Sequence, residues 1–101
     1  MAPRLELQTL LEGILGSENV YFQPPENIKM EYPCIVYQPD FLLNNWADGG
    51  PYFQKNRYLI TVIDRNPDSL IPQGVRSLSE CVYDRFYTAH DLNHHVFKLF
   101  F

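Results

Sequence analysis

The chain has 101 residues, 46% of them apolar and 15% aromatic, with a formal charge of −4. That length fits one domain with a single core, and the acidic balance with scattered Lys and Arg argues against affinity for a phosphate backbone. No run approaches the roughly 18 apolar residues of a membrane span, and Glu6 and Glu12 interrupt the amino-terminal apolar stretch, so neither a transmembrane helix nor an export signal is expected.

Leu7, Leu10, Leu11 and Ile14, with Leu15 beside them, recur at three- and four-residue steps and predict an amphipathic helix from Arg4 to Leu15, stopped by Gly16. Asn19 to Gln23 reads as a short strand ended by Pro24 and Pro25, since proline offers no amide to a ladder. Tyr32 to Gln38 predicts a second strand, and its apolar run suggests a central place in a sheet. Residues Pro39 to Lys55 form the longest irregular segment. They carry Phe41, Trp46, Tyr52 and Phe53, aromatics that either fold back over the core or anchor into an adjacent protein.

Asn56 to Asp64 alternates cleanly, with Tyr58, Ile60 and Val62 on one side and Arg57, Leu59, Thr61 and Ile63 on the other. Asn66-Pro67-Asp68-Ser69 reads as a helix start in which Asp68 or Ser69 accepts a first-turn amide, and Ile71, Val75 and Leu78 are spaced to cover a sheet. The final stretch predicts two strands, Cys81 to Tyr87 and His94 to Phe101, with Ala89, His90, Asp91 and Asn93 supplying turn chemistry. Consecutive Phe100 and Phe101 must point to opposite faces, so the last strand needs cover both from its own core and from a second subunit. The expected fold is α+β: a mostly antiparallel sheet of about five strands, with an amino-terminal helix and a second helix packed on it.

The residue types of reactive sites are present without the spacing that would make them reactive. His90, His94 and His95 suggest a metal site beside Asp84 and Asp91, but His94 and His95 would face opposite sides of a strand, and no metal or other cofactor is expected. The serines lack a nucleophile-elbow turn, Cys34 and Cys81 read as reduced strand residues, and no catalytic residue is assigned. The adjacent pairs Asp84–Arg85 and Asp64–Arg65 are expected to meet other strands, a neighbouring subunit or solvent rather than each other.

Several stretches together resemble the tail terminator, or tail-completion, proteins of long-tailed bacteriophages. These are the first helix followed by NVYFQPP, the strand YPCIVYQPD, the segment KNRYLITVIDRNPDS leading into the second helix, and the ending YDRFYTAHDLNHHVFKLFF. The resemblance implies a virion protein made in the host cytoplasm. Copies of it, usually six, close into a ring that caps the tail tube and joins it to the head. The implied partners are itself, the tail tube protein and the head-completion or connector protein, with DNA passing through the lumen without specific binding.

For such a ring the subunit and partner contacts are expected from Phe41, Trp46, Tyr52, Phe53, Arg57, Asp84, Arg85, Phe100 and Phe101. Glu26, Glu31, Asp40 and Asp48 are candidates to line the hole, where carboxylates would repel DNA phosphates. A head-completion or adaptor protein of the connector is the nearest alternative. A small metal-dependent enzyme built around His90, or a nucleic-acid-binding module, is the alternative from outside that class.

Overall fold

In a computed structural model that describes residues 3–24, 29–40, 57–78 and 80–101, the chain forms one α+β domain. Helix α1 spans Pro3–Leu15, β1 Val20–Phe22, β2 Cys34–Pro39 and β3 Arg57–Asp64. Helix α2 spans Ile71–Arg76, and β4 (Cys81–Ala89) and β5 (Leu92–Phe100) complete the sheet. The strand order is β1-β2-β3-β5-β4; β1 runs parallel to β2 and the other three pairings are antiparallel. The carboxy-terminal strand therefore lies inside the sheet, between β3 and β4. Because β3 and β4 point the same way on either side of β5, the chain must cross over between them, and α2 makes that crossing.

Both helices lie on one face. The buried core on that side joins Leu7 and Leu11 of α1 and Val75 of α2 to Val20, Ile35, Tyr37, Tyr58, Ile60, Val62, Phe97 and Leu99 of the sheet. The alternation expected for β3 holds, since Tyr58, Ile60 and Val62 all join this core while Ile63 turns to the other side. Leu10, placed on the apolar stripe by its spacing, is 38% exposed. It sits on the flank of the stripe that Leu7 and Leu11 bury. The helices pack closely because Gly74 has no side chain: a Cβ there would come within 2.8 Å of Ile14 Cγ2.

A polar clamp fixes α1 to the sheet. The Tyr37 hydroxyl, on a fully buried side chain, donates to Gln8 Oε1 at 2.5 Å. Gln8 Nε2 in turn donates to the Val20 carbonyl and to Glu12, each at 3.0 Å. Arg4 adds a longer contact to the same hydroxyl at 3.5 Å and sets its guanidinium 4.6 Å from the centre of the Phe22 ring. A phenol this deep without a partner would keep its desolvation cost, so Gln8 is what makes the buried tyrosine tolerable.

Helix α2 starts later than the sequence suggests. Asn66 and Asp68 are held in successive local turns, the Asn66 amide donating to Asp64 and the Asp68 amide to the Asn66 side chain. Ser69, not Asp68, accepts the amide of Ile71, the first helical residue, at 3.3 Å. The β4–β5 turn is tighter than expected: Ala89 and Asn93 belong to the strands. His90 and Asp91 alone make the bend, with φ of 54° and 63°. Two successive positive φ values are the signature of the two-residue turn whose twist matches a hairpin.

Replacing Gln8 with Ala removes one acceptor and two donated bonds at once, so it is expected to cost about 1–3 kcal/mol in chemical denaturation. In the Tyr37→Phe background, where no buried hydroxyl needs a partner, the same change should cost distinctly less.

Candidate interaction surface

Among the described residues, the face of the sheet opposite the helices carries a covered cluster at one end. There Cys34, Ile63 and Leu92 form a small second cluster under Tyr21, Met30, Tyr32 and Val36. Burial pushes the Cys34 thiol up to about 12, with Asp64 adding to the effect, so this cysteine is an inert apolar filler. Cys81 packs on the helix side, its thiol also raised by burial, and both cysteines are free.

Toward β4 the same face changes character. Arg57 pairs with Phe100 across β3 and β5, and its guanidinium sits 5.0 Å from the Phe100 ring centre. Lys98 is flanked by Leu59 and Val82. Next along the strands come Asp84 and Arg85, and then Tyr87, stacked on His94 at 4.5 Å with the rings nearly parallel. Val82 is 61% exposed, Tyr87 41% and Phe100 38%. Large apolar side chains left in water on an edge strand and its neighbour make a patch of the kind that marks protein contact.

A bulge builds this patch. Tyr83 faces Phe97 and Arg85 faces Val96, so Asp84 is an extra residue in β4. In a regular strand Asp84 and Arg85 would point to opposite faces, as the sequence suggests; the bulge removes that alternation locally. The two charges therefore meet, Arg85 Nη1 lying 3.1 Å from Asp84 Oδ2, and Lys98 Nζ approaches the other carboxylate oxygen at 3.8 Å. With Arg85 61% exposed, the pair contributes little to stability. Its consequence is positional: one carboxylate is shared between two cations on the open face.

The bulge also shifts which residues reach the helix side. Beyond it Phe86, 50% exposed, stands beside His95, with ring centres 4.8 Å apart. Tyr83 meets the same histidine from the other direction, its hydroxyl 2.9 Å from Nδ1. Desolvation between these rings holds the His95 pKa below its ordinary 6.5.

Of the residues singled out in the sequence as contacts, Arg57, Asp84, Arg85 and Phe100 converge on this open face. Phe101 does not: it lies on the opposite side and packs against the helix-covered core, where the last turn of strand geometry carries it. Phe41, Trp46, Tyr52, Phe53, Glu26 and Asp48 lie outside the described residues. Glu31 precedes β2 and Asp40 follows it, so these two carboxylates sit at opposite ends of the sheet. Val82 and Tyr87, exposed on the same face, are not singled out by the sequence, although an apolar residue beside charges in an exposed strand was the available signal.

His94 and His95 do point to opposite faces, one stacked on Tyr87 and the other beside Tyr83. Among the described residues no three His, Cys, Asp or Glu side chains converge as metal ligands. Two open clefts, about 560 and 540 Å³, flank Arg65 at the hairpin end of the sheet. Arg65 itself reaches toward Tyr32, 5.9 Å from the ring centre, instead of pairing with Asp64. Among the described residues no helix is long and apolar enough to cross a membrane. No family model, curated protein or solved structure matches the chain.

The depressed His95 pKa sets the sign of a pH effect. Above pH 6.5 the ring is neutral in both folded and unfolded chains and its contribution is complete. As pH falls from 6.5 toward the lower folded value, the unfolded chain takes up the proton first and stability declines. Denaturation between pH 8 and 5 should show this loss, and His95→Gln should remove that component of the slope.

Proposed function

We propose that the protein is a structural component of a phage virion, a tail terminator whose copies close into a ring at the end of the tail tube and join it to the head. The observation that carries this reading is the one-sided sheet: two helices cover one face, while the other presents Val82, Tyr87 and Phe100 to solvent among cations. Such a surface is stable in water only at a cost that association removes, at about 25 cal/mol for each Å² of apolar area covered.

The two edges of the sheet are unlike. The β1 edge is three residues long and partly closed, because Gln8 takes the Val20 carbonyl and the Val20 amide donates to Glu18. The β4 edge is nine residues long and flanked by exposed Val82, Phe86 and Tyr87. Unlike edges favour contacts in which one side of a subunit meets a different side of the next, the arrangement that closes as a ring. The mechanism is then geometric: one rim of the ring matches the last layer of tube, and the opposite rim lacks the surface a further tube subunit needs.

The charge distribution supports the passage of DNA through such a ring. Residues 1–40 hold six acidic and two basic side chains, whereas residues 57–101 hold five of each. Acidic residues of the first segment that lie outside the subunit contact, Asp40 among them, are suited to line a channel that DNA crosses without adhering.

Electron microscopy of particles from a phage lacking this protein tests the assignment. Loss of a terminator should leave overlong tails without heads. Tails of normal length beside leaking capsids would instead assign the protein to the head side of the connector. In solution, Val82→Glu combined with Phe100→Glu should leave the protomer's melting temperature within a few degrees of the parent and abolish its larger species in light scattering.

A further inference from the structure

Given a ring, we infer that its repeating contact seats the aromatic and cationic patch on β4 and β5 of one copy against the acidic α1–β1 flank of the next. This inference rests on the ring reading and adds the identity of the two surfaces.

The first support is where the charge lies. The whole formal charge of −4 comes from residues 1–40, because residues 41–56 hold one acidic and one basic side chain and residues 57–101 balance. The topology then separates the two groups in space. Helix α1 packs over β1 and β2, and α2 over β5 and β4, so the acidic segment occupies one side of the sheet and the balanced segment the other.

The second support is what each side presents. On the α1–β1 flank, Glu12 lies beside Gln8, Glu18 precedes β1, and the Glu31 backbone amide donates to the Tyr21 hydroxyl, which brings Glu31 beside the same strand. Arg4, the cation of α1, is turned inward onto Phe22 and Tyr37, while Glu18 and Glu31 are exposed, with Lys29 near Glu31. On the open face of the opposite flank stand Arg57, Arg85 and Lys98, with Arg85 and Lys98 sharing the Asp84 carboxylate. A patch docking on its own copy would set cations against cations. A patch docking on the acidic flank sets them against carboxylates, with Val82, Tyr87 and Phe100 covered in the same step. Attraction of this kind fixes which surfaces meet, while apolar burial supplies the affinity.

Two variants and their mixture provide the test, with native mass spectrometry as readout and circular dichroism to establish folding. The patch variant carries Val82→Glu and Tyr87→Glu; the flank variant carries Glu18→Arg and Glu31→Arg. All four residues are exposed, and none belongs to the Gln8–Tyr37 clamp. Each variant alone should associate at least roughly tenfold more weakly than the parent. Mixing the two should restore a species containing both, because each retains the surface the other lacks. A flank variant that assembles like the parent, or a mixture with no mixed species, would overturn the inference while leaving a ring possible. A parent chain that stays monomeric at every concentration would overturn the ring itself. Salt-dependent binding of the parent's patch to duplex DNA, lost in the patch variant, would assign the surface to a different occupant and overturn the inference as well.

Discussion

A sheet has two faces, and the described helices cover only one of them. That constraint organises the molecule. On the covered side, α1 and α2 bury Leu7, Leu11 and Val75 against four strands, and the Gln8–Tyr37 clamp locks the angle at which α1 crosses β1 and β2. On the other side, a short segment around Met30 and Tyr32 shelters one end, and the β4 end is left with aromatic and aliphatic side chains in water. Hydrophobic burial within the protomer accounts for the first side. It does not account for Val82 at 61% exposure on the second.

The bulge at Asp84 connects local backbone geometry to the proposed assembly. By inserting one residue into β4, it places Asp84 and Arg85 together and breaks the regular row of outward backbone groups that makes a long edge strand prone to indiscriminate pairing. Charge and bulge blunt the middle of the edge while the apolar side chains beside it remain presented. An edge built in this way resists sheet-to-sheet aggregation, and in the proposed ring it would still leave the apolar side chains free to dock.

Much of the fold was legible in the sequence because the period of the apolar residues survives folding. The alternation from Tyr58 to Ile63 named both faces of β3, and the spacing of Leu7 and Leu11 named the buried side of α1. What failed did so for local reasons. Ala89 and Asn93 carry turn chemistry, yet the hairpin needs only two residues with positive φ. Asp84 and Arg85 look unable to pair because a bulge leaves no mark in a strand's composition. Strand alternation says that Phe100 and Phe101 face opposite sides but not which side the helices will cover; it is Phe101 that turns to the core. The surface itself was half legible: Arg57 and Phe100 lie 43 positions apart in the chain and meet only through the placement of β5 between β3 and β4.

In the proposed assembly the open face is buried against a neighbouring copy. Hydroxyl-radical footprinting, read by mass spectrometry on isolated protomer and on intact virions, measures this side chain by side chain. Tyr87 and Phe100 should react readily in the protomer and be strongly protected in the virion, while buried Tyr37 should be unreactive in both. Equal reactivity of Tyr87 and Phe100 in the two states would contradict burial of the open face.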